Sequence, residues 1–217
     1  MTRALLITSH THNAHALDHL FESLVRCEGI DGFKNVIAVI GGHDTYSVGK
    51  RGVFTIVHVP HNSIDFTGLL TVLDTTELQH DSYFYIHDTT VAGPRFAQRV
   101  LGLPDTTTSA SFRFPSMNIG LYSHALLEDS KTLLETFRNT DESRAQEAKR
   151  RCVDMEDCVF RSNRTHQFLS TEPPLVQAEP TEYYGTGVLR RVEYYPTMDL
   201  YKIKANWYVK PTYELSL

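Results

Sequence analysis

The chain has 217 residues, 41% of them hydrophobic, and a formal net charge of −5. That length suits one large domain with an ample core. The acidic balance leaves no broad basic field to hold nucleic acid or an anionic membrane, and no apolar stretch approaches the ~20 residues of a membrane helix.

The N-terminus, Met1 to His10, lacks a long apolar segment with a cleavage site, so it reads as a first strand and not as a signal peptide. Leu5–Thr8 is the centre of that strand. A helix follows in which Leu17, Leu20, Phe21, Leu24 and Val25 are expected on one face. Asn35–Ile40 reads as a second strand stopped by Gly41-Gly42, and Val53–Val59 as a third stopped by Pro60. Asp65 is placed to cap a helix with Phe66, Leu69, Leu70 and Leu73 inward. Tyr83–Ile86 is the fourth strand and runs into His87-Asp88.

Beyond a break at Gly93-Pro94, Ser111–Phe114 reads as a further strand and Met117–Gly120 as a turn. Ser123 caps a helix carrying Leu126, Leu127, Leu133, Leu134 and Phe137. Asp141–Arg151 is almost wholly polar, a solvated helix or a mobile segment; with the proline-rich loop from Glu172 to Glu182 it is a candidate lid. The tyrosine-rich tail from Val188 wraps the domain or forms short strands. Strands alternating with helices predict an α/β fold, a mostly parallel sheet flanked by helices. The cysteines, Cys27, Cys152 and Cys158, are odd in number and lack metal-type spacing, which points to reduced thiols and a cytoplasmic protein.

Asp88 is the leading chemical candidate. A carboxylate at the carboxyl end of a buried strand lies where α/β proteins bind ligands, and a hard cation such as Mg2+ or Mn2+ takes one or two such carboxylates when phosphates supply the rest. Glu156-Asp157 precede a short apolar run, as at a helix N-terminus, and either can serve as a general base. Asp44 and Asp65, beyond the second and third strands, are placed to accept hydrogen bonds from a base or ribose. His10, His12 and His15 form a cluster after the first strand, the start seen in metal hydrolases built on a β/α barrel; a full barrel needs ~250 residues. No glycine-rich dinucleotide fingerprint, P-loop or nucleophile elbow is present.

In this order the segments resemble a GT-A type, Rossmann-like glycosyltransferase dependent on a nucleotide sugar, over roughly residues 3 to 165. Thr8-Ser9-His10 matches the strand end that holds the nucleotide. Asp44 and Asp65 match the acidic and polar positions after the next strands. Tyr85-Ile86-His87-Asp88-Thr89 matches the strand carrying the family's Asp-x-Asp metal motif. Met117–Ser123 is similar to the acceptor-side turn and helix, and Glu156-Asp157 to the pair that supplies the base in inverting members. The tail is similar in character to small viral and bacterial members.

The resemblance implies a single catalytic domain, with a nucleotide-sugar half (1–100) and an acceptor half with tail (101–217). It implies a nucleotide-diphosphate sugar and a hydroxyl acceptor as partners, Mn2+ or Mg2+ as cofactor held by Asp88, and Thr8, Ser9, His10, Asp44, Asp65 and His87 as donor-binding residues. Asp157, or Glu156, is the implied base. The chain departs from the pattern in one respect: His87-Asp88-Thr89 has one carboxylate where the motif has two. If no metal is held, Arg190, Arg191, Lys202 or Lys204 would have to offset the diphosphate charge. Two alternatives follow from the residues: a metal hydrolase using His10 and His12, or a glycan- or nucleotide-binding module without catalysis, to which the tail tyrosines are suited.

Overall fold

Arg3–His10 forms β1, the middle of the sheet. Its residues from Arg3 to Ser9 are buried, so both faces of the strand need covering layers. The alternation of side chains supplies them. Leu5 and Ile7 point to one face, where α1 (Ala14–Val25) packs; Ala4 and Leu6 point to the other, where α2 (Thr67–Asp74) packs. The computed structural model describes residues 1–112, 119–160, 165–178 and 189–205.

The main sheet also contains β2 (Asn35–Gly41), β3 (Ser47–Arg51), β4 (Phe54–His58), β5 (Ser82–His87), β7 (Ser109–Phe112), β8 (Gly120–Ser123) and β9 (Gln167–Ser170). The strand order is β3-β4-β2-β1-β5-β8-β7-β9. The four central strands, β4-β2-β1-β5, are mutually parallel; β3 and β8 run antiparallel to their neighbours. The fold is therefore mixed α/β with a large, mainly parallel sheet flanked by helices. From β1 the chain steps to β2 and β4 on one side, then crosses to β5 on the other. The carboxyl ends of β1 and β5 thus flank the point where strand order reverses.

A second sheet of four strands has the order β10-β11-β12-β6. It is formed by β6 (Thr90–Ala92), β10 (Leu175–Ala178), β11 (Leu189–Tyr195) and β12 (Leu200–Ala205). Its first strand begins two residues after Asp88 and pairs with the tail, Lys202 opposite Thr90.

Several expectations are corrected. Val25 is exposed, because eight residues on from Leu17 at ~100° per residue leaves it well off the buried stripe. Asp65 caps nothing: neither the 3-10 turn Ile64–Phe66 nor α2 has a side-chain cap. β3 was not anticipated, since all five of its residues are exposed and give no apolar alternation. The short α3 (Phe96–Leu101) and β8 were likewise unexpected. The leucine helix after Ser123 is two helices, α4 (His124–Asp129) and α5 (Lys131–Glu135), and Leu133 faces outward.

The polar stretch forms a 3-10 turn and then α6 (Ala145–Phe160), so Glu156 and Asp157 lie near the end of a helix and not at its start. The proline-bearing loop contains β10, and the tail forms β11 and β12. The Met117–Gly120 turn lies outside the described residues up to Asn118. Cys27 and Cys152 are both buried. No helix among the described residues is long and apolar enough to cross a membrane.

Ser123 does cap α4, its hydroxyl accepting the Leu126 amide at 3.2 Å. Ser123→Ala is expected to cost about 1 kcal/mol, read as a lower denaturant midpoint with an unchanged slope.

Candidate functional site

The carboxyl ends of β1 and β5 open into a cleft of about 490 Å3. Thr8, Ser9 and His10 line it from β1, and His87, Asp88 and Thr89 from β5. Asn62, Ile64 and Asp65 line it from the segment before α2, and Glu142, Gln146 and Lys149 from the start of α6 and the turn before it.

Two glycines let these elements converge. A Cβ on Gly68 would lie 2.5 Å from Thr8 Oγ1, whereas the bare amide donates to that oxygen at 2.8 Å and docks α2 on β1. A Cβ on Gly41 would lie 2.7 Å from the His61 carbonyl oxygen, so a side chain there would displace the loop that carries Asn62. The next residues are strained: Ile64 has φ +50°, where a β-branched residue is a genuine outlier of the kind that collects at ligand sites.

That loop is tied to the segment that leads into α6. The Asn62 amide donates to the Asn139 carbonyl at 2.7 Å, and the Asn139 amide to Ser63 Oγ at 3.2 Å. Beneath it, Thr71 spends its hydroxyl proton on the Thr67 carbonyl at 2.8 Å, so its 3.3 Å contact with buried His61 Nε2 has the imidazole donating. His61 Nδ1 then accepts from Ser63 Oγ at 2.9 Å. Burial, reinforced by the charge of Arg138, pushes the His61 pKa down to about 4, keeping the ring neutral at pH 7.

Asp88 forms the floor, only 3% exposed. Its Oδ2 accepts the Ser9 hydroxyl at 2.7 Å. The Asn13 side chain and the Thr89 backbone amide also donate to the carboxylate. Burial nevertheless dominates and, with the charge of Asp65, pushes its pKa up to about 6. His87 stands between Asp65 and Tyr85, with Nδ1 3.3 Å from Asp65 Oδ1 and Nε2 3.2 Å from the Tyr85 hydroxyl. Burial lowers its pKa to about 4; Asp65 opposes this and the charge of Lys202 adds to it. At neutral pH the imidazole is therefore neutral, and its contact with Asp65 is not an ion pair.

Of the residues singled out in the sequence, Thr8, Ser9, His10, Asp65, His87 and Asp88 come together in this cleft. Asp44 does not line it; it is exposed in the turn between β2 and β3. Glu156 and Asp157 lie seven and eight residues beyond Lys149, about 10–12 Å further along α6 at 1.5 Å per residue, and their side chains are outside the described residues. The tail cations lie elsewhere. Arg191 and Lys204 pair with Glu193 at 3.3 and 2.9 Å, Lys202 is buried and does not line the cleft, and the Arg190 side chain is outside the described residues. Asn62, Glu142 and Lys149 were missed. The first sits after a proline in a stretch without periodicity, and the other two lie in a run whose polarity reads only as solvent exposure.

The described residues do not by themselves complete a divalent-cation site: no three or more of His, Cys, Asp and Glu group to hold a metal, and Asp88 Oδ2 already accepts the Ser9 hydroxyl. The histidine reading fares no better. His10 Nδ1 accepts the His12 backbone amide at 3.2 Å and Nε2 faces Glu142 Oε1 at 3.2 Å, so neither ring nitrogen keeps a lone pair for a metal. No protein-family model matches the chain, and no curated protein matches it.

Proposed function

We propose that the chain is a GT-A type glycosyltransferase that moves a sugar from a nucleotide-diphosphate donor to a hydroxyl acceptor. One observation carries the reading: a polar cleft opens at the carboxyl ends of β1 and β5, where the strand order reverses, and that is where open parallel sheets bind nucleotides. The strained backbone at Ile64 and the buried carboxyl of Asp88 support it, since both are costs to the fold that a ligand site accounts for.

In this reading Thr8, Ser9 and Asp65 receive the nucleoside, and Asp88 accepts a hydrogen bond from a donor hydroxyl at the cleft floor. The acceptor oxygen attacks the anomeric carbon as the bond from that carbon to the diphosphate oxygen breaks. The diphosphate leaves with the bonding pair. The acceptor proton passes to a carboxylate on the α6 side of the cleft: Asp157 or Glu156 as the resemblance implies, or Glu142, which already lines it and is held by His10 and Asn62. No step is routed through Mn2+ or Mg2+.

Titration calorimetry with UDP and GDP is expected to give dissociation constants in roughly the micromolar range. Donor turnover is expected to fall in whichever of Asp157→Asn and Glu142→Gln removes the base, with nucleotide affinity retained. Absence of binding by any nucleoside diphosphate would sink the reading. Binding without turnover across an acceptor panel would favour a non-catalytic binding module.

A further inference from the structure

The charges lining the cleft are not evenly satisfied. Its three carboxyl groups all face protein donors: Asp88 faces Ser9, Asn13 and the Thr89 amide; Asp65 faces His87; Glu142 faces His10 and Asn62. Lys149 is the one lysine or arginine among the described lining residues, and it forms no hydrogen bond or ion pair among the described residues. It projects from the second turn of α6, and the turn leading into that helix is held to the cleft by the contacts of Glu142 with Asn62 and His10. An ammonium without a partner among the described residues, in a cleft whose acids each meet a protein group, suits a phosphoryl anion.

Resting on the reading above, we infer that this cleft takes the donor's diphosphate directly on Lys149, with no divalent cation between protein and phosphate. The ammonium meets the diphosphate oxygens on binding and offsets the charge that grows on them as the sugar departs. Lys149 replaces the tail cations in this role, since none of those described lines the cleft.

The test is calorimetry of the full chain with UDP, and separately with inorganic pyrophosphate, each in EDTA and in Mn2+. The wild type is expected to bind both probes equally well in either buffer. Lys149→Met should weaken both by about tenfold, and Lys149→Arg should keep affinity within about threefold, because arginine retains the charge. Lys149 is exposed, so neither change threatens the fold; matching unfolding curves would verify that. UDP binding that appears only with Mn2+, or equal affinity in Lys149→Met, would overturn the inference and leave the nucleotide reading standing. Lys149-dependent pyrophosphate binding in EDTA without UDP binding would do the opposite: the anion site would stand and the nucleotide reading would fall. No binding of either probe would remove both.

Discussion

Asp88→Asn is expected to yield a protein that is more stable at pH 8 and less active. The Asp88 carboxyl has its pKa pushed from 3.8 to about 6, chiefly by burial. Below pH 3.8 the group is protonated in the folded and unfolded chains alike and has no effect on the balance. As pH rises from 4 to 6 the unfolded chain sheds its proton first, so folding stability falls; above 6 the native state carries the full cost, roughly 3 kcal/mol. Asparagine has no charge to bury but keeps one oxygen for Ser9 or the Thr89 amide. The variant should therefore gain about 1–3 kcal/mol at pH 8, with the advantage shrinking to nothing near pH 4. Under the proposed sugar transfer, removing an ionised acceptor for a donor hydroxyl should meanwhile lower kcat/KM about 10- to 100-fold. Denaturant unfolding at the two pH values and a turnover assay check both halves. A variant less stable than wild type at pH 8 would mean that the carboxylate sits comfortably ionised in the native protein.

The sequence exposed the parts of the site that lie at the ends of buried strands. Thr8, Ser9, His10, His87 and Asp88 were legible because β1 and β5 are continuous apolar runs, and the residue that ends such a run falls at the sheet's edge. The four parallel strands and α1 were legible for the same reason. The small second sheet was not, because β6 has only three residues and its partner, β12, lies over a hundred residues away. Asp65 was located correctly but its use was misjudged: an acidic residue before an apolar helix looks like a cap, and only the approach of His87 from another strand shows otherwise. Glu156-Asp157 looked like a helix start because the polar residues before them hid the first eleven residues of α6. Lys149 was invisible as a site residue for that reason too, since position on a helix face says nothing about which cleft the helix abuts.

His61→Gln is expected to flatten the acid limb of the stability curve. Buried His61 has its pKa lowered to about 4, so from pH 6.5 down to 4 the unfolded chain takes up a proton that the folded chain refuses. Its contribution is fully present above pH 6.5 and fades as pH falls, a loss of up to about 3 kcal/mol. Glutamine keeps a donor for Thr71 and an acceptor for Ser63 without the titration. At pH 7.5 the variant should be weaker by about 1 kcal/mol for imperfect hydrogen bonds; at pH 4.5 it should equal or exceed the wild type. Parallel unfolding curves for the two proteins across this range would mean that His61 protonates freely in the native fold. Asp88 shifts stability in the opposite direction over an overlapping range, so the two contributions partly cancel in the wild type between about pH 4 and 6.

The pairing of β6 with β12 has a consequence for how such a chain can be remodelled. The strand that leaves the floor of the cleft belongs to the sheet built by the last quarter of the described chain. A cut near residue 100 would strip Thr90–Ala92 of its hydrogen-bonding neighbour and free the backbone immediately behind Asp88. The two halves of the chain are interlaced like fingers, not coupled like beads, and a recombination that swapped one half wholesale would arrive with this pairing already broken.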